Sequence, residues 1–417
     1  MKKKPNIIFV HVDQLKRSAI GAYGCPYVKT PNIDRVIADS RHFKQFHCTV
    51  SVCVPSRTSW YTGLEPEQSG ITENPRWIDR DAVKPNELGS WLRDKGGYDT
   101  VYTGKWHVAL KPKSCGFRFL HNSNPVGEYG DTAVARAAEE FLMTAPDDKP
   151  FFLSVGLLNP HDICYWSFQY SPGKFAMAPR MKDQLPPFPK NYLEENDHTG
   201  WSQDEWRFYA YSYFRFVEMV DEEIGRVYRA YLKSPQRDNT VFIFASDHGQ
   251  GNGEHGHLTK NTPYEHSFNV PLAIIDPKGS PGCDHRNLIS GLDMAPTICD
   301  YAGVESMPKN NGKSFKPLVR GEKVVWRDWL AAATPRLMHR LVWKGDYKLI
   351  HDRKTKSVQL FNLADDPFET ADLSGDPAHA PVLKELLALR DRYDAAREYC
   401  PMALADMEKF KKPQKGK

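Results

Sequence analysis

Short, nearly continuous apolar runs punctuate this chain and alternate with stretches whose apolar residues recur every three or four positions. The first pattern marks strands buried on both faces of a parallel sheet, and the second marks amphipathic helices. Strands are predicted at Asn6–Val12, Asp99–Thr103, Phe151–Leu157, Thr240–Ser246 and Val270–Asp276. Thr30 before Pro31 supplies an N-cap and first-turn pair for a helix to about Ser40. Leu88–Lys95 runs into Gly96-Gly97, a natural C-terminal stop, and Ala133–Thr144 is alanine-rich. Across Asp204–Leu232, Trp206, Tyr209, Tyr213, Phe216, Val220, Ile224, Val227 and Tyr231 form one stripe that should face a core. Strands alternating with helices make an α/β sheet with helices on both faces.

Later segments read differently. Gln169–Asn196 is rich in proline and polar residues, an excursion loop. From about residue 320 the pattern turns to paired antiparallel strands, at Arg340–Ile350 and Ser357–Asn362, and then a helix at about Ala380–Glu398. This divides the chain into an α/β domain over 1–320 and a smaller α+β domain over 321–417. The terminal KFKKPQKGK is too polar and charged to pack, and is expected to be disordered.

Composition narrows the function classes. The 417 residues are 40% apolar, enough for a sizeable core. A net charge of +4 with scattered Lys and Arg lacks the concentrated basic stripe of a nucleic-acid binder. No apolar run approaches the roughly 18 residues of a membrane span, so no membrane partner is expected. The start, MKKKPNIIFVHVDQ, has too short an apolar stretch for a signal peptide, and a cytoplasmic location follows unless an export signal has been trimmed from a periplasmic or secreted protein. Eight cysteines without a CxxC pair suggest neither a zinc ribbon nor a disulfide scaffold.

Chemistry gathers where an open α/β sheet puts it, at the carboxyl ends of strands. Asp13 follows the first strand, Lys105 and His107 the second, Asn159, Pro160 and His161 the third, and Asp247 and His248 the fourth. Four strand ends carrying ionisable groups predict an active site. Asp13, Asp247 and the Gln14 amide oxygen suit a hard divalent cation such as Ca²⁺ or Mg²⁺, and the imidazole of His248 admits Mn²⁺. Cys53 stands at the start of a helix whose first turn holds Pro55, so backbone N–H groups there can face an anion. Arg57 adds a forked cation suited to tetrahedral oxyanions. A lone cysteine at such a place is more commonly a small buried hydrophobe.

The segment CVPSRTSWYTG, Cys53–Gly63, resembles the signature C-x-P-S-R-x₄-T-G of the formylglycine-dependent (type I) sulfatases of the alkaline phosphatase superfamily. GYDTVYTGKWH, Gly97–His107, resembles their second signature. Further likenesses are TPNIDR at Thr30–Arg35, Pro160-His161, SDHGQGNGEHG at Ser246–Gly256, Lys260, PYEHS at Pro263–Ser267 and LFNLADDPFE at Leu360–Glu369. The resemblance implies an alkaline-phosphatase-like fold: a large mixed, mostly parallel sheet flanked by helices, with the smaller C-terminal domain. It also implies that a maturation enzyme oxidises Cys53 to formylglycine (3-oxoalanine), whose hydrated diol attacks sulfur and then expels sulfate as the aldehyde re-forms. Asp13, Gln14, Asp247 and His248, with converted Cys53, match the metal positions, with Ca²⁺ as the expected ion. Arg57 and Lys105 would steady the diol and metal, His107 would be the base, and His161 and Lys260 would clamp the sulfate and protonate the leaving alcohol.

One departure is Gln14, where many sulfatases carry a second Asp; this Asp-Gln and Asp-His combination is similar to choline sulfatases and phosphonate or phosphodiester hydrolases. His255, His257 and His266 are candidates for a second metal. The expected substrate is a sulfate ester on a carbohydrate, with Trp60, Trp77, Trp106, Tyr165 and Trp166 as sugar-stacking candidates and Arg76, Arg80, Lys111 and Lys113 as anion partners. Specificity should sit on Gly70–Val83, His121–Gly130 and Cys164–Asn196. Two rivals stand beside the sulfatase: a phosphonate monoester or phosphodiester hydrolase with the same nucleophile, and a binding protein for sulfated ligands in which Cys53 stays a thiol.

Overall fold

A computed structural model describes residues 3–74, 85–123, 125–169 and 179–409. Its strands are β1 (Asn6–Asp13), β2 (Arg41–Phe43), β3 (Phe46–His47), β4 (Asp99–Gly104), β5 (Arg118–Asn122), β6 (Phe151–Pro160) and β7 (Thr240–Ser246). They continue with β8 (Leu272–Ile275), β9 (Gly282–Asp284), β10 (Ile289–Ser290), β11 (Trp329–Ala333), β12 (His339–Lys344), β13 (Tyr347–Asp352) and β14 (Val358–Asn362). Eight of them form one sheet in the order β5-β4-β6-β1-β7-β8-β2-β9. The first five run parallel, with β1 in the middle between β6 and β7.

Every residue of β1 is buried, as its unbroken apolar pattern predicts for a central strand. Ile8, Val10 and Val12 face a core shared with the helices Gly127–Thr144 and Gln203–Lys233. Ile7 and Phe9 face the opposite core, shared with Trp60, Leu92 and Ile298 from the helices Cys53–Thr62, Leu88–Gly96 and Met294–Tyr301. Because side chains alternate along a strand, His11 and Asp13 fall on that second face, toward the Cys53 helix. The long helix begins at a capping box between Ser202 and Glu205, and its buried residues include all eight of the predicted stripe.

Two sequence-based expectations are corrected. The run Val270–Asp276 was expected among the parallel strands, but β8 pairs antiparallel with β7, Phe242 opposite Ile275. The chain leaves β7 into a loop over 247–271 that stays at the same sheet end without a crossover helix of useful length, so the next strand can only run back. Arg340–Ile350 is two strands rather than one. Gly345, at φ 57°, reverses the chain between β12 and β13. With β11 and β14 they make a four-stranded antiparallel sheet, one face covered by the helix Ala380–Ala395 and the other packed on Tyr264 and Phe268. Of the expected loop Gln169–Asn196, residues 170–178 lie outside the described part; the rest holds short helical turns at Pro179–Lys182 and Glu194–Asn196. The terminal residues 410–417 lie outside it as well. No helix among the described residues is long and apolar enough to cross a membrane.

Candidate active site

The carboxyl ends of β1, β4, β6 and β7 converge on the first turn of the Cys53–Thr62 helix. Asp13 ends β1, and Gln14 then turns the chain with φ 72°, a costly conformation for a residue with a side chain. It is held there by its own N–H donating to Asp247 Oδ1 at 3.1 Å and by the Tyr213 hydroxyl donating to its carbonyl at 2.8 Å. Gly104, at φ 99°, ends β4 so close to β6 that an added Cβ would meet the Gly156 carbonyl. Only glycine fits, and it brings Lys105 to the site.

Asp13, Cys53, Asp247 and His248 offer ligand atoms within 4.8 Å of one another, all buried. Cys53 Sγ lies 3.1 Å from His248 Nε2, 3.4 Å from Lys260 Nζ and 3.6 Å from Asp13 Oδ1. His248 donates Nδ1–H to the Gly249 carbonyl at 3.0 Å, which turns its Nε2 inward. Each carboxylate spends one oxygen on cations and turns the other inward. Asp13 Oδ2 takes Lys105 at 2.6 Å and Arg57 at 3.2 Å; Asp247 Oδ2 takes Arg57 Nε at 2.6 Å. The inward atoms are oxygen, sulfur and one imidazole nitrogen, a donor set that fits a divalent cation.

Burial pushes Asp13 up, but Lys105, His161, Lys260 and Arg57 outweigh it and hold the carboxyl well below its usual range. Asp247 goes the other way, raised by burial and by the neighbouring Asp13. Burial and Asp13 oppose ionisation of Cys53, yet Lys260, Lys105 and His248 bring its thiol well below the ordinary value. Arg57 is not free to grip an oxyanion as its fork suggested: its three nitrogens are occupied by Asp247, Asp13, the Lys105 carbonyl and His11. It organises the two aspartates instead.

Beside this cluster opens a cavity of about 410 Å³, lined by Lys105, Trp106, His107, Asn122, Leu158, His161 and Tyr165 among others. The Nδ1 atoms of His107 and His161 are buried there without a hydrogen-bond partner. Of the sugar-stacking candidates, Tyr165 and Trp106 reach this cavity, whereas Trp60 is wholly buried in the core against Phe9 and His11. Trp166 packs on Trp201, Phe208 and Tyr209. Trp77, Arg76 and Arg80 lie outside the described residues, as does the Lys113 side chain; Lys111 is exposed. His255, His257 and His266 form no metal-binding group among the described residues. His255 Nε2 bonds the Glu369 carbonyl and its ring stacks on Tyr264 at 3.6 Å, while His266 Nε2 bonds Thr262.

Two residues of the site carry no motif signal of their own. His11 sits behind Arg57, its Nδ1 accepting from Arg57 at 3.3 Å and its Nε2 reaching the Tyr61 and Ser154 hydroxyls. Gln250 touches Gln14 at 2.7 Å. The strand alternation that puts Asp13 on the Cys53 face also puts His11 there, and Gln250 lies inside the SDHGQGNGEHG segment; those were the available signs.

Comparison with known proteins gives the family and the fold. Residues 5–304 match the Sulfatase family, and residues 253–394 match the family described as N-sulphoglucosamine sulphohydrolase, C-terminal. A Delta 4,5-hexuronate-2-O-sulfatase of Bacteroides thetaiotaomicron is 26% identical over 437 positions, covering 94% of this chain and 89% of the relative. The structure of a 2-O GAG sulfatase superposes with a TM-score of 0.81 at 25% identity, covering 94% of this chain and 92% of that one. A phosphonate monoester hydrolase of Agrobacterium radiobacter shares the fold, with a TM-score of 0.76 at 20% identity over 93% of this chain and 96% of that one. With its signature cysteine set among buried metal-type ligands and the family match spanning most of its length, the chain belongs to the sulfatase family of the alkaline phosphatase superfamily, the sulfuric ester hydrolases.

Proposed function

We propose that this sulfatase hydrolyses a sulfate ester on a saccharide, using Cys53 after its oxidation to formylglycine as the nucleophile. The observation that carries the reading is the position of Cys53 Sγ, within 3.6 Å of His248, Lys260 and Asp13 at the first turn of a helix. That sulfur stands where an oxygen of the converted, hydrated residue would be. When present, the diol supplies one hydroxyl to attack sulfur and a second whose loss of a proton releases sulfate. Asp13, Gln14, Asp247 and His248 would hold a divalent ion, Ca²⁺ or otherwise Mg²⁺ or Mn²⁺, which supplies Lewis acidity toward the nucleophile and a sulfate oxygen.

The other residues act around that centre. Lys105 and Arg57 hold Asp13 and Asp247 in place. His107 serves as the base that takes the second diol proton. His161 and Lys260 grip the sulfate, and one of them protonates the departing alcohol. The cavity flanked by Tyr165, Trp106 and Asn122 receives the sugar. A saccharide substrate is supported by the relatives, a hexuronate-2-O-sulfatase and a 2-O GAG sulfatase. The same reading takes 1–320 as the catalytic domain and 321–417 as the smaller one, and it requires a maturation enzyme for Cys53.

Mass spectrometry of the Cys53 peptide, from protein made with a maturation enzyme, tests the nucleophile. Aryl sulfate and sulfated disaccharides test the reaction. The expected result is conversion of the thiol to the aldehyde and sulfate release that Cys53→Ala abolishes. A thiol that persists despite active maturation enzyme overturns the reading in favour of sulfated-ligand binding. Neutral Gln14 keeps one second reading in view, a phosphonate or phosphodiester hydrolase. Turnover of a matched aryl phosphonate monoester or phosphodiester far above the aryl sulfate would establish it.

A further inference from the structure

A glutamine at a metal site presents a problem that an aspartate does not. Either oxygen of a carboxylate can meet a cation, but an amide turned the wrong way offers an NH₂ group, which repels it. Something must therefore fix the Gln14 amide, and the structure contains a chain of contacts whose polarity runs one way. Gln250, buried on the loop that also carries Asp247 and His248, points its amide nitrogen at the Leu258 carbonyl at 2.9 Å, the Asn252 side-chain oxygen at 3.0 Å and the Tyr209 hydroxyl at 3.0 Å. A backbone carbonyl only accepts, so the Gln250 atom facing Leu258 is nitrogen and its Oε1 faces the other way, to Gln14. That oxygen accepts from Gln14 Nε2 at 2.7 Å. The remaining Gln14 atom, Oε1, then faces Lys260 Nζ, which only donates, beside Cys53.

Both ends of the chain are groups of a single polarity, and they agree on one orientation. Lys260 also reaches Cys53 and is among the residues assigned to the sulfate, so its hold on Gln14 is shared with substrate. Gln250 has no such second duty. Its nitrogen already has three acceptors, and rotating its amide would set an oxygen against the Leu258 carbonyl.

We propose that Gln250 is a positioning residue for the metal centre, locking the Gln14 amide so that its oxygen faces the ligand cluster. The inference rests on the reading that Asp13, Gln14, Asp247 and His248 hold a divalent cation. It pairs two positions 236 residues apart: neutral Gln14 works as a ligand because Gln250 is there to orient it.

The test is a double-mutant cycle read by calorimetric titration of Ca²⁺ into chelator-treated full-length protein, so that binding is measured without turnover. Gln250→Leu is expected to weaken Ca²⁺ binding roughly tenfold or more, the scale of lost outer-sphere support. In a Gln14→Asp background the same change should alter affinity by less than about threefold, because a carboxylate needs no orientation. Equal losses in both backgrounds, or no loss in either, overturn the proposal while leaving the metal reading intact. If Gln250→Leu does not fold, Gln250→Met, unbranched and of similar length, takes its place in both backgrounds with the same expected losses, and equal losses or none there overturn the proposal. Failure of the unaltered chain to bind Ca²⁺, Mg²⁺ or Mn²⁺ removes the metal reading, and this inference with it.

Discussion

Arg57 Nε donates to Asp247 Oδ2 at 2.6 Å, and neither side chain is exposed to solvent. The same guanidinium reaches Asp13, so one planar fork spans both carboxylates of the ligand cluster. Lysine concentrates its charge on one nitrogen and lacks the planar fork that holds the two at once. Arg57→Lys should therefore free one aspartate from its partner and cost about 3–5 kcal/mol, the scale for breaking a buried ion pair. Divalent-ion affinity should fall about tenfold to a hundredfold. Chemical denaturation of the chelated protein and Ca²⁺ titration measure the two effects; an unchanged affinity would show that the fork does not organise the cluster.

A cation bound to the folded chain and not to the unfolded one must raise stability by mass action. For chelator-treated protein, Ca²⁺ at about a hundred times its Kd should add about 2.7 kcal/mol. Thermal unfolding with and without the ion measures this, and excess chelator should reverse it. A melting temperature indifferent to millimolar Ca²⁺, Mg²⁺ and Mn²⁺ is the contrary result.

The small sheet is tied to a helix turn just beyond the Cys53–Thr62 helix by buried charge. Arg340 of β12 bonds Glu67, in the short helix Pro66–Ser69, and each is 1% exposed. Arg340→Met leaves the Glu67 carboxylate without its partner and should cost about 3–5 kcal/mol in urea unfolding. Adding Glu67→Gln should recover most of that loss, since a neutral amide is far cheaper to bury. A double variant no better than Arg340→Met would count against the ion pair as the cause.

Three histidines, two buried and one half-buried, make the fold sensitive to acid. Burial, reinforced by His255, His339 and His198, lowers His257 to about 4, and burial likewise lowers His255 and His266. Between about 4 and 6.5 the unfolded chain binds more protons at these positions than the folded one. Their contribution is therefore intact above about pH 6.5 and is lost as pH falls toward 4. Melting temperatures at stepped pH should move in favour of His257→Gln relative to the unaltered chain as pH falls through that window, while Glu65, Asp131 and Glu369, raised to about 7 by burial, add an opposite slope common to both proteins. Identical profiles for the two proteins would refute the assignment.

Much of this was written in local pattern. The unbroken apolar run of β1, the capping box at Ser202 and the eight-residue stripe of the long helix depend on neighbours a turn or a strand away. So does the prediction that Asp13, Lys105, His161 and Asp247 stand at strand ends. Cys53 and the candidate ligand set were read from the strand ends and from the likeness of Cys53–Gly63 and Ser246–Gly256 to sulfatase segments. Other features were hidden for an equally physical reason. Trp60 and Arg57 lie on a helix buried all round, so no periodicity told which of its polar and aromatic groups would meet solvent.

The sequence alone determined the class of fold, the strand ends that carry chemistry and the family, since each is a matter of residue type at short range. Tertiary structure decided the rest. It ran β8 against β7, turned Arg57 from an anion grip into a brace for two aspartates, and brought His11 and Gln250 against residues 46 and 236 positions away. Those outcomes depend on which buried donors meet which acceptors once the elements are packed, and in an interior that tolerates few unpaired polar groups that matching is settled only by the whole fold.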